Sequence, residues 1–252
     1  MSAFDQTGYA VFGADPAVVR WADAAHAAAL KLTADPALRE TNLRHGDTWF
    51  VGVNALPNAP DGSVDGVPLA GDWQQHVSCP PVWHRAQVSV IYPGYPQQDV
   101  DESDAAHRFR VRRHAAHVDG LLPEGSQRRR FLREPHAFIL GLPLNRSNAA
   151  PLMVWPGSHH IMGQAFRDMI GRRDPGSVDL TDGYQAARRV VFDQIAPNAL
   201  HATPGQAILL HRHLLHGVAA WSENDRVAPE GRLVAYFRPE FSGGAEEWLC
   251  AN

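Results

Sequence analysis

RRHAAHVDGLLPEG, residues 112–125, sets two histidines and a carboxylate just before a glycine and a proline-containing loop. In an extended chain alternate side chains share a face, so His117 and Asp119 point one way and Val118 the other. Two ligands on one metal need that arrangement. A polar strand end produces the same letters, so His-x-Asp alone leaves both readings open. A third ligand from a distant strand would decide, and only a closed or sandwiched sheet brings distant strands together. The question about three residues is therefore a question about the fold.

The chain around this stretch reads as mainly β. Runs rich in β-formers occur at DTWFVGVNAL (47–56), RAQVSVIYPG (85–94), FRVRRHAAHV (109–118), HAFILGLPL (136–144), PLMVWPG (151–157), QAILLHRHLLHGV (206–218) and RLVAYFRP (232–239). Turn signals separate them, and such spacing predicts a sandwich or barrel. Asp15-Pro16 supplies an N-cap and an N1 proline for an alanine-rich helix reaching about residue 33. HHIMGQAFRDMI (159–170) and TDGYQAARRVVFDQI (181–195) have helical length and spacing and read as an insertion covering one side. The Pro/Gly-rich stretch 54–72 reads as a surface excursion or lid, and Thr203-Pro204-Gly205 as a turn. The expected organisation is one domain over residues 1–252, with a helical elaboration over about residues 1–45.

LLHRHLLHGVAAW (209–221) offers the third ligand as His211, His213 or His216. If the segment is extended, His216 shares a face with Leu214 and Arg212, and His211 and His213 take the other. His216 stands at a strand end before Gly217, where a ligand is accessible. His211 and His213 read as hydrogen-bonded barrel residues. Two histidines and one carboxylate form the facial set that leaves three adjacent positions open on Fe(II). Other polar features have plainer readings. Ser158 in PGSHH can cap a helix after a turn, and Arg128, Arg129 and Arg130, with Arg133, read as a solvated loop. GLLPEG (120–125) reads as a lip in which Leu121 or Leu122 must contact another element.

Composition narrows the function classes. The 252 residues are 44% hydrophobic and 20% charged, which is globular composition, and a net charge of −4 gives no electrostatic basis for a nucleic-acid partner. Two distant cysteines suggest neither a disulfide framework nor a cysteine-rich zinc site, and no apolar run approaches a membrane span. A cytoplasmic protein with no membrane partner is expected.

In order and separation, HVD at 117–119, NAAPLMVWPGSHH at 148–160, TPGQAILLHRHLLHG at 203–217 and GRLVAYFRP at 231–239 resemble the phytanoyl-CoA dioxygenase-like family of Fe(II)/2-oxoglutarate oxygenases. The resemblance covers about residues 85–240. It implies a double-stranded β-helix (jelly roll, cupin-like) with flanking helices and with His117, Asp119 and His216 as iron ligands. It also implies that 2-oxoglutarate is decarboxylated to succinate and carbon dioxide while O2 hydroxylates a small organic substrate. Related halogenases carry a small residue in place of the carboxylate, so Asp119 implies hydroxylation. Two other readings stay open: a cupin-like metal- or ligand-binding protein without turnover, and an Fe(II) dioxygenase independent of 2-oxoglutarate.

The family also uses an arginine at the start of the last core strand to hold the distal carboxylate of 2-oxoglutarate. Arg226, Arg232 and Arg238 are the candidates. Counting from His216 favours Arg226, but it lies in SENDRVAPEG, a loop. Arg232 opens RLVAYF on the face of Val234 and Tyr236 and is the expected anchor, with Arg238 too far along the strand.

Overall fold

The computed structural model describes residues 2–222 and 230–250. Two antiparallel sheets face each other. The larger has seven strands in the order Tyr9–Val11, Ile208–His211, Phe138–Pro143, Arg232–Phe237, Gln87–Ile91, Trp49–Gly52 and Leu43–Arg44. The smaller runs His216–Val218, Leu152–Val154, Asn198–Leu200, and His117 joins its edge through an isolated antiparallel bridge to His216. From Gln87 onward the core strands pass between the two sheets, with a two-stranded hairpin of Leu121–Glu124 and Arg129–Leu132 inserted before Phe138. This is the double-stranded β-helix that the resemblance implied.

Alternation along the strands explains both faces of the larger sheet. Leu140, Leu142, Leu209, Leu233, Ala235, Phe237, Val88 and Val90 point outward into one core with Trp21, Ala22, Ala25 and Ala29 of the Pro16–Ala34 helix. Small alanine side chains let that helix lie close to the sheet, and Asp15 caps it by accepting from the Ala17 N–H at 2.7 Å. Ile139, Ile208 and Leu210 point inward and meet Leu152, Val154 and Leu200 of the smaller sheet. By the same alternation Gln87, Ser89, Ile91, Arg232, Val234 and Tyr236 face the interior.

Four expectations are corrected. FRVRRHAAHV is not a strand: Asp104–Arg113 is a helix, and only the residues around His117 are extended. Its arginine-rich sequence supplies good helix formers, and Ser103 caps it by accepting from the Ala106 N–H. QAILLHRHLLHGV is two strands, Ile208–His211 and His216–Val218, broken by a turn, so parity cannot be counted across it. The 54–72 stretch is no surface excursion or lid, since Leu56, Val64 and Leu69 are buried beside the long helix and Trp21 Nε1 donates to the Gly62 carbonyl at 2.9 Å. The N-terminal part is not purely helical, because Tyr9–Val11 adds an edge strand to the larger sheet. Among the described residues no helix is long and apolar enough to cross a membrane.

The two helices of the insertion are present as Ser158–Ile170 and Thr181–Gln194. They cover the smaller sheet, packing Met162, Phe166, Tyr184 and Val191 against Val118, Met153, Trp155 and Leu215.

Candidate metal centre

The backbone brings His117 and His216 together. Each donates its N–H to the other's carbonyl, at 2.8 and 3.0 Å, forming one hydrogen-bonded antiparallel pair. Gly217 permits the close approach, because a Cβ there would sit 2.1 Å from the His114 carbonyl oxygen. The covering helices hold both segments. Tyr184 Oη accepts from the Val118 N–H at 3.2 Å, and Arg188 donates to the Ala116 carbonyl at 3.2 Å. Ser158 does not cap its helix; Gly157 occupies that position, and Ser158 Oγ accepts from the Leu215 N–H at 2.9 Å. The serine of PGSHH thus fixes the residue preceding His216.

With Val118 turned into the helical core, His117 and Asp119 share the other side. His117 Nε2 lies 2.9 Å from Asp119 Oδ1 and His216 Nε2 lies 3.8 Å from it. One ligand atom from each of the three residues falls within 4.8 Å of the others, the sole such group of histidine, cysteine or acidic side chains among the described residues. Both Nδ1 atoms are engaged with carbonyl oxygens at 2.9 Å, His117 with Ala115 and His216 with Leu214. A carbonyl only accepts, so each Nδ1 carries a proton and each ring turns its Nε2 toward the shared point. Two imidazole Nε2 atoms and a carboxylate oxygen then converge. The donor set of two imidazoles and one carboxylate suits Fe(II).

Electrostatics keep the residues in ligand form. Burial pushes His216 down to about 4, reinforced by the neighbouring His117. Burial alone would raise the Asp119 carboxyl, but the hydrogen bond with His117 and the charges of His216, Arg238 and His117 hold it well below the usual range.

The arginines divide differently from expectation. Arg226 lies outside the described residues. Arg232 projects inward at the far end of its strand, opposite Ile91, and is only 8% exposed. Its side chain makes no hydrogen bond or ion pair among the described residues. Two positions up the adjacent strand, Ser89 Oγ accepts from Trp49 Nε1 at 2.9 Å, which leaves the hydroxyl proton free to donate. Arg238, set aside from sequence as too distant to hold 2-oxoglutarate, reaches the triad itself: Nη1 is 3.3 Å from Asp119 Oδ2 and Nη2 donates to Gln87 Oε1. The alternation 232, 234, 236, 238 was the available signal, since all four positions face inward. Gln87 carried no signal.

The remaining histidines lie elsewhere. His159, His160, His211 and His213 line a separate cavity of about 720 Å³ with Phe138 and Phe241. His159 Nε2 donates to the Asp5 carbonyl at 3.1 Å, and His213 packs on Trp248 with ring centroids 4.3 Å apart. The arginine cluster is tied down: Arg129 bonds Asp179 and Asp182, Arg130 donates to the Leu121 carbonyl and Arg133 to Glu124 and the Gly176 carbonyl. Leu121 is buried in the helical core and Leu122 is exposed.

No protein-family profile matches the chain, and no curated protein matches it. Among solved structures, EctD from S. alaskensis with 2-oxoglutarate and 5-hydroxyectoine is 18% identical, with a TM-score of 0.47 over 99% of this chain and 82% of that one. The non-heme alpha ketoglutarate dependent carbocyclase SnoK from nogalamycin biosynthesis is 13% identical, with a TM-score of 0.49 over 96% and 86%. The epimerase SnoN from the same biosynthesis is also 13% identical, at 0.44 over 93% and 78%. Likenesses of this size carry no argument about chemistry, which rests on the side chains of this chain.

Proposed function

We propose that this protein is an Fe(II)- and 2-oxoglutarate-dependent oxygenase of the phytanoyl-CoA dioxygenase-like kind, hydroxylating a small organic substrate. One observation carries the cosubstrate: the buried Arg232 guanidinium has no acceptor among the described residues and faces the same interior as the three converging ligand atoms. A planar guanidinium with no other acceptor can hold a carboxylate through two parallel hydrogen bonds. The distal carboxylate of 2-oxoglutarate fits the position, with the Ser89 hydroxyl as a further donor.

His117, Asp119 and His216 would hold the iron, and Arg232 would hold the far end of 2-oxoglutarate. When bound, iron and 2-oxoglutarate supply the oxidation, with succinate and carbon dioxide as co-products. The chain's residues bind and orient. The carbonyls of Ala115 and Leu214 aim both Nε2 atoms at the metal position, and the apolar interior around Ile139, Val154 and Leu210 excludes water. Substrate would enter through a cavity of about 400 Å³ lined by His84, Gln87, Glu134, His136 and Arg238, beside Asp119. Two free, exposed cysteines and a ferrous centre suit a reducing compartment such as the cytoplasm.

Anaerobic titration of the protein with Fe(II) and then 2-oxoglutarate tests this directly. The visible absorption of a chelated 2-oxo acid should appear, and oxygen should then yield succinate, faster with substrate present. Iron binding with neither absorption nor succinate would sink the proposal.

A further inference from the structure

We infer that Arg238 is a positioning residue that commits Asp119 to the metal through one oxygen only. The inference rests on the functional reading above and concerns a contact that reading does not need. The two carboxylate oxygens of Asp119 face different partners. Oδ1 lies 2.9 Å from His117 Nε2 and 3.8 Å from His216 Nε2, on the metal-facing side. Oδ2 turns to Arg238 Nη1 at 3.3 Å.

Arg238 is itself held at three points. Its Nη2 donates to Gln87 Oε1, its Nη1 faces Asp119, and its backbone N–H donates to His84 Nε2 at 3.2 Å. Gln87 belongs to the neighbouring strand and pairs in register with Tyr236, two residues before Arg238. The brace therefore spans two adjacent strands and fixes the planar guanidinium in one orientation. Asp119 stands in the turn it shares with Gly120.

The consequence follows from counting positions. Three protein ligands leave three positions, and 2-oxoglutarate chelation with O2 uses all of them. A carboxylate free to rotate can present both oxygens to a cation and take a fourth. Arg238 opposes this by engaging Oδ2. Its other nitrogen is occupied by Gln87, so the guanidinium cannot follow the carboxylate inward. Arg238 thereby preserves the position the cosubstrate needs, without touching the cosubstrate.

Cobalt(II) is the probe, because its visible absorption reports coordination number with no turnover. Wild-type protein, R238M, R238K and Q87L are each titrated with Co(II) and then with 2-oxoglutarate under nitrogen. R238M should bind Co(II) stoichiometrically with an altered spectrum, and should bind 2-oxoglutarate about 10- to 100-fold more weakly, the range that follows loss of an outer-shell partner. R238K, which keeps the charge but cannot grip Asp119 and Gln87 together, should fall between wild type and R238M, and Q87L should shift both readouts least. An unchanged Co(II) spectrum with weakened 2-oxoglutarate binding would mean that Arg238 contacts the cosubstrate, and overturns the positioning role. So would wild-type spectra and affinities in folded R238K and Q87L, which carry the test if R238M does not fold. Failure of the wild-type protein to bind Co(II) or 2-oxoglutarate would instead remove the functional reading on which this one stands.

Discussion

His213 and His216 are three positions apart, both are buried, and burial suppresses the protonation of each. They nevertheless do different things. His216 has its Nδ1 on a carbonyl, its Nε2 toward a carboxylate, and a second histidine bridged to it through the backbone. His213 lies among aromatic rings, 4.3 Å from Trp248 and 5.4 Å from Phe166, with an unpartnered Nε2. Burial and a lowered pKa are thus common to both regions and distinguish nothing. What separates them is the carboxylate facing the Nε2 of His216 and the Leu214 carbonyl on its Nδ1 that aims the ring.

Substitutions at the two histidines should split the comparison most sharply. His216→Ala should weaken Fe(II) or Co(II) binding by more than the roughly 10- to 100-fold expected for an outer-shell partner, and His213→Ala should leave stoichiometry intact; equal metal binding in both variants, measured by competition with a chelator, would erase the distinction. Next in size, Arg232→Met should weaken 2-oxoglutarate by about 2–5 kcal/mol, very roughly 30- to several-thousand-fold, while sparing the metal. Because Arg232 has no partner in the unliganded protein, that variant should melt no lower than wild type without 2-oxoglutarate. A clear loss of melting temperature would show that the guanidinium is already satisfied.

His213→Ala should instead lower stability by about 1–3 kcal/mol in urea unfolding, since it empties a packed aromatic site. A neutral result would mean that the site collapses around the loss. The smallest effect belongs to Arg129→Ala, whose partners Asp179 and Asp182 lie on the surface away from the interior. Metal and 2-oxoglutarate binding should match wild type in the same titrations, and a change in either would tie the arginine cluster to the site.

Sequence alone determined the elements whose signals are local. The cap and proline at Asp15-Pro16, the 3.6-residue spacing of the two insertion helices, and the β-rich runs at Gln87, Phe138 and Arg232 are legible because propensity and periodicity act over neighbouring residues. The order of His117, Asp119 and His216 was legible by resemblance, and alternation placed His117 and Asp119 on one side of Val118. Only the tertiary structure decided the rest. FRVRRHAAHV reads as extended because valine and phenylalanine alternate with arginine, yet packing on Phe192 and capping by Ser103 make its first half the end of a helix. The face of His216 could not be counted from His211 across a turn; the bridge to His117 and the Ser158 contact to Leu215 set it. Arg238 meets Asp119 while gripping Gln87 because two strands pair in one register, and a register is fixed by side chains far apart in the chain. No local pattern can state which residue will stand opposite another.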